Sequence, residues 1–244
     1  MKHNGTLIAT HSSEISRSQL SNIEAPPKTK TWHPVKHFDL LMTLHEALKK
    51  RDIEVSSEQL AISRGGALFY GVLDLNKQGS PDFKSSLGVR SSNNRLLAIK
   101  IAVGGRVVVC DNLMFSGDMI ALKRKHTSGL NLRVEVDNAI KVFSSKFESF
   151  CTEIQRMKFK KIDDNVAKTL VFDVFAVQKI YPTRFLKVVA KEYLTPSFTE
   201  FEPRTLWSLY NAFTYAAKGM SPERKFSALQ QVGKFFNTIS TLSI

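Results

Sequence analysis

Two stretches carry residue types that could do chemistry. In Val107-Val108-Val109-Cys110-Asp111-Asn112-Leu113 a cysteine and two short polar residues follow directly on an apolar run, and a histidine closes the basic run Lys123-Arg124-Lys125-His126-Thr127. Cys110 as a thiolate, His126 as its base, and Asp111 or Asn112 orienting the imidazole would make the relay of a cysteine hydrolase. Cys110 has no basic or helix-N-terminal surroundings to lower a thiol pKa, however, and a strand cysteine is more often small core filler. Asp111 and Asn112 at a strand end also fix turns by bonding nearby backbone amides. No catalytic set is therefore assigned, and binding is expected rather than enzymatic activity.

The chemistry best supplied is contact with phosphates. In a strand, Lys123 and Lys125 share one face while Arg124 and His126 share the other. A second cluster, Arg156, Lys158, Lys160 and Lys161, closes a long helical stretch with Met157 and Phe159 interleaved, and Lys179, Arg184, Lys187 and Lys191 form a third. Arg90 and Arg95 alternate with Ser and Asn in residues 76–95, around Gly88. Lysines at a helix C-terminus also follow from dipole complementation without any ligand. In Leu206-Trp207-Ser208-Leu209-Tyr210-Asn211-Ala212-Phe213-Thr214, Asn211 and Thr214 lie three apart, placed either to tie the helix to a neighbour or to bond a ligand. The six histidines offer only His33 and His37 at four-residue spacing, with Pro34 between them and no carboxylate beside them, so no metal is expected. Neither Gly65-Gly66 nor Gly104-Gly105 belongs to a phosphate-loop motif, and no cofactor is expected.

These residues need elements to hold them. With 244 residues, 43% hydrophobic and 23% charged, the chain can bury a core. Its net charge of +13 is uneven, +4 over residues 1–120 and +9 over residues 121–244. Such a field draws polyanions. Residues 1–31 lack an apolar period and read as a flexible tail or loosely docked arm. Residues 32–244 read as one domain, strand-rich over 53–126 and helix-rich over 132–240, opened by a short amphipathic helix from Phe38 that ends before Asp52. Runs at 59–63, 67–73, 96–103, 106–110 and 119–126 predict strands, with a hairpin turn at Gly104-Gly105. Residues 76–95 predict a long polar loop, mobile until its ligand orders it. Ile140, Phe143, Phe147, Phe150, Ile154 and Met157 trace the stripe of the longest helix, and further helices follow at about 164–179, 183–193, 204–218 and 222–240. Strands first and helices after give an α+β fold, an antiparallel sheet from the N-terminal half packed against C-terminal helices.

The order of Cys110-Asp111-Asn112, Lys125-His126-Thr127, helices and then Asn211-Ala212-Phe213-Thr214 resembles the domain of unknown function 932 family of phage, prophage and plasmid proteins, over roughly residues 35–240. The resemblance implies an origin on a mobile element and no assigned reaction. Relatives often carry Ser-His-Asp where this chain has Ser91-Ser92-Asn93-Asn94, which weakens a hydrolase reading further.

The expectation is thus a nucleic-acid-binding accessory protein of a phage or mobile element, with single-stranded DNA the preferred ligand. A protein-binding inhibitor of a host nuclease or defence complex is the alternative, and a cysteine-dependent hydrolase stands third. No apolar run is long enough to cross a membrane or form a signal-peptide core, so the bacterial host cytoplasm is the expected location, with no membrane partner.

Overall fold

The computed structural model describes residues 12–76, 83–110 and 112–242. Strands β1 (Ser12–Glu14), β2 (Val55–Ser63), β3 (Leu68–Leu75), β4 (Phe83–Ser92), β5 (Ile99–Val107) and β6 (Leu113–Arg124) form one antiparallel sheet in sequence order. Helices α1 (Arg17–Ser21) and α2 (His37–Lys49) lie in the N-terminal half. After the sheet come α3 (Leu132–Lys141), α4 (Phe143–Phe159), α5 (Asp164–Phe172), α6 (Leu186–Leu194), α7 (Leu206–Ala216) and α8 (Pro222–Thr241). The fold is α+β, with the sheet in the N-terminal half and most helices in the C-terminal half.

The two faces of the sheet are covered differently. On one, His37 of α2 stacks on Phe69 of β3, and Phe147 and Phe150 of α4 meet Phe83 of β4 edge-on. On the other, Phe226 of α8 packs on Phe115 of β6. Helix α7 is buried nearly all round, which requires apolar neighbours on every side. Its Tyr210 and Phe213 pack on Phe236 of α8, and Phe213 also on Tyr181.

Three expectations are corrected. Within the expected flexible tail or docked arm, residues 12–21 form docked elements: β1 pairs with β2, Ser16 caps α1, Leu20 is buried, and Arg17 pairs with Glu58 of β2. Residues 83–92 are not a loop but β4, bonded to strands on both sides. Its serines are buried because each hydroxyl finds a partner: Ser85 the Leu75 carbonyl, Ser86 the Asp74 carboxylate, Ser91 the His126 ring, and Ser92 the backbone of Leu97. Residues 77–82 of that expected loop lie outside the described residues.

The third correction concerns the paired glycines. The tight turn with positive φ is at Arg64, Gly65 and Gly66 between β2 and β3, whereas β5 runs straight through Gly104 and Gly105. A Cβ at Gly104 would stand 2.0 Å from the Met114 carbonyl oxygen and 2.5 Å from the Phe115 ring, so glycine is needed there for close approach of β6, not for a turn. The strand ends instead at Val107, whose N–H donates to the Asn112 carbonyl. Gly104→Ala is expected to cost about 3 kcal/mol, because backbone rather than a flexible side chain must move. Urea titration reads it as a lower midpoint at unchanged slope, against Gly129→Ala as control, where a Cβ meets nothing within 4 Å.

Candidate nucleic-acid interface

Sheet register sets four polar side chains in one row. Tyr70 of β3 stands opposite Arg90 of β4, Arg90 opposite Lys100 of β5, and Lys100 opposite Lys123 of β6. Directly opposed residues of antiparallel strands point to the same face, with Cβ atoms about 5 Å apart, so three cations stand side by side. The Arg90 guanidinium lies 5.2 Å from the Phe226 ring centre and the Lys100 ammonium 5.8 Å from it. Lys100 also donates to Gln230 of α8. Phe226 is only 5% exposed, so it is a floor for the cations and not a surface on which a base stacks.

The row is short of negative charge. Burial, then the neighbouring Arg90 and Lys123, push the Lys100 ammonium down to about 8. Burial lowers Arg90 as well, opposed by Tyr70 and Glu223, and its Nε is buried without a partner. Burial first, then Glu223, hold the Tyr70 phenol protonated. Glu223 is itself 3.4 Å from Arg64. Like charges directly opposite one another destabilise a sheet, and a bound anion would relieve that repulsion.

The basic residues read from sequence divide between this row and other tasks. Arg90 and Lys123 are in it, and Lys125 is exposed just past the strand end. Arg124 turns away to Glu135 of α3 at 2.9 Å. Arg95 lies over the Trp32 ring at 4.8 Å. In the second cluster, Lys160 donates to the Ile239 and Leu242 carbonyls, and Arg156 reaches Asn237 at 3.4 Å, so both fasten the end of α8. Lys158 and Lys161 flank this clamp, and Phe159 is 83% exposed between them. Gln230, Lys234 and Asn237 stand at i, i+4 and i+7 of α8 and so share one side of it, roughly 10 Å from end to end. That stripe leads from Lys100 to Arg156. Lys100, which the sequence reading missed, completes the row.

Cys110 and His126 do not form a dyad. Ile99 pairs with Arg124, and Val107, eight residues along β5, bonds Asn112. At about 3.3 Å per residue the two ends of the hairpin are some 26 Å apart, with Cys110 at one and His126 at the other. Cys110 is 5% exposed, and its carbonyl accepts a bond from Lys218. His126 is buried and its pKa lowered by that burial; its Nδ1 accepts from the Val35 N–H at 3.1 Å, and its Nε2 lies 3.3 Å from Ser91 Oγ. Among the described residues no group of three or more His, Cys, Asp or Glu could hold a metal ion.

The remaining motif residues are internal ties. The Asn112 side-chain amide donates to the Asn211 carbonyl at 3.4 Å, the Thr214 hydroxyl donates to that carbonyl at 2.9 Å, and the Asn211 amide donates to the Trp207 carbonyl at 3.0 Å. They join α7 to the start of β6. Asp111 lies outside the described residues. At the other end of the sheet, His37 donates through Nε2 to the Gly66 carbonyl, beside the buried Ser91, Asn93 and His126.

Among the described residues no helix is long and apolar enough to cross a membrane. No curated protein and no solved structure matches the chain at a significant level. Residues 28–232, from before α2 into α8, match the domain of unknown function designated DUF932, which takes in β2 to β6, the buried ties and the cationic row but not β1. The chain belongs to the DUF932 family.

Proposed function

We propose that the protein binds single-stranded nucleic acid, DNA by preference, in the bacterial cytoplasm as an accessory protein of a phage or other mobile element. The observation that carries this reading is the row Arg90, Lys100 and Lys123, three adjacent cations with Glu223 as the nearby carboxylate. Phosphates suit it, because a polyanion neutralises several closely set cations at once and releases its counterions. Lys234 and Asn237 of α8, beyond the buried Gln230, lead towards Phe159, whose exposed ring offers a base a stacking face. Unpaired bases can reach that ring, and bases inside a duplex cannot.

The test is anisotropy of a labelled oligothymidylate titrated with the full chain across a range of salt. Three phosphate contacts give a slope of log K against log salt near −2, at about 0.7 per contact on a single strand. Lys123→Ala should make that slope shallower by about 0.7. A native slope near zero, or one that Lys123→Ala leaves unchanged, would show that the row is not the phosphate site.

A further inference from the structure

Helices α5 and α6 leave an apolar trench open between them. α5 runs into a π-helical turn, Asp173–Val177, and the chain then reverses through Thr183–Phe185 into α6. A cavity of about 530 Å³ lies in the angle, lined by Ala167, Val171, Phe172, Phe175, Leu186 and Leu194 among others. Phe172 is 63% and Leu194 54% exposed at its rim, more apolar surface than a closed core leaves in water. A second cavity, of about 550 Å³, shares Phe175, Ala176 and Thr183 with the first and continues to α8. The two share a wall at the π-turn, a helix irregularity found frequently at functional sites.

Charge identifies the occupant. Lys168 lines the apolar compartment, Lys179 and Arg224 line the second, and Lys187 and Lys191 follow Leu186 and Ala190 along α6. None of these five cations has a hydrogen-bond or ion-pair partner among the described residues. Of the nearby carboxylates, Asp163 caps α5, Asp164 lies 3.7 Å from Arg204 and Glu192 accepts from Ser197, while Asp173 stands in the π-turn. The first compartment is therefore apolar, while the second is mixed and carries Lys179 and Arg224. A nucleobase seated in the first would leave its polar edge unpaired against Val171, Phe172 and Leu186. A second copy of a chain with net charge +13 would bring more cations to Lys168, Lys179 and Arg224.

We propose that the trench docks an amphipathic helix of a partner protein, with its apolar side between α5 and α6 and its acidic flank on Lys168, Lys179 and Arg224. Apolar anchors at i, i+3 or i+4, and i+7 fill the first compartment, as in other helix-in-groove complexes. This surface belongs to α5, α6 and α8 and does not depend on the nucleic-acid reading of the sheet row.

The test is selection from a displayed library of random peptides of about 16 residues, four helical turns, on the immobilised full chain. Enriched peptides should carry large apolar residues at that spacing with Asp or Glu beside them. Phe172→Glu, Leu194→Glu and the triple Lys168→Glu, Lys179→Glu, Arg224→Glu should each weaken them at least about tenfold, because each removes an apolar anchor or a matching charge. All five side chains are exposed, and unchanged thermal melting confirms that each variant folds. Enrichment of basic or patternless peptides, no enrichment over the Phe172→Glu protein, or equal binding to it would overturn the proposal. So would a dimer of the native chain that Phe172→Glu dissolves, since a second copy would then be the occupant.

Discussion

Replacing both exposed-side members of the cationic row, Lys100→Glu with Lys123→Glu, is expected to weaken oligonucleotide binding at least about 100-fold at moderate salt, since two charge-assisted contacts of at least about 1.4 kcal/mol each are lost and two repulsions gained. The same change should leave the fold as stable as before, or more so. In this variant the contact between Arg90 and position 100 turns from like-charge to attractive, while the contact between positions 100 and 123 stays like-charge, as it is with two lysines. Gln230 Nε2, buried without a partner, could donate to the carboxylate at position 100. Anisotropy and urea titration on one preparation separate the two effects. A variant that keeps its affinity sinks the assignment of the row, and one that loses affinity only because it unfolds shows a falling urea midpoint.

Acid should begin to destabilise the protein before its carboxylates are protonated. His37 is fully buried, and burial is the chief cause that pushes its pKa down to about 4 from 6.5; the bond to the Gly66 carbonyl opposes the shift, and nearby His126 adds to it. The unfolded chain takes up the proton near pH 6.5 and the folded chain not until about pH 4. Stability is therefore complete above the higher value and lost as pH falls towards the lower. A shift of about 2.5 units corresponds to roughly 3 kcal/mol. His126, lowered by burial in the same direction, adds to the loss. Glu58 acts in a separate window: burial raises its carboxyl, but bonds from His45 and Arg17 more than reverse this, to about 2, so its contribution is lost from about pH 4.5 downward. Urea midpoints measured between pH 7 and about pH 4 read the first window, in which the unfolded state binds more protons. His37→Gln keeps a donor for Gly66 and should flatten the slope. A midpoint level from pH 6.5 to pH 4.5 would show that His37 is not held neutral.

Helices were the part legible along the chain. Ile140, Phe143, Phe147, Phe150, Ile154 and Met157 recur at three and four residues, and all six are buried, although the stripe proved to span two helices, α3 and α4. Helical periodicity is local, so a run of ten or more residues announces which side faces inward. The apolar run of β3 and that of the first part of β5 announced strands, though the turn expected at Gly104-Gly105 broke β5 in two, and the order of strands before helices followed from them.

The sheet's most consequential strand was not legible. β4 reads as loop because Ser85, Ser86, Ser91 and Ser92 look solvated, yet their hydroxyls are satisfied by Leu75, Asp74, His126 and Leu97, residues 5 to 35 positions away. Polarity in a sequence reports burial only if the partner is absent, and the partner is a tertiary fact. Gly104-Gly105 looked like a turn because glycine permits one; the Met114 carbonyl and the Phe115 ring decide instead that it permits close packing. The candidate site shares this origin. Arg90, Lys100 and Lys123 are distant along the chain, and they share a row because β4 pairs with β5 and β5 with β6 in one register, across irregularities at Ile101, Ala102 and Gly104. A slip of one residue would turn each cation to the opposite face, so the charges belong to the sequence and their assembly into a site to the register alone.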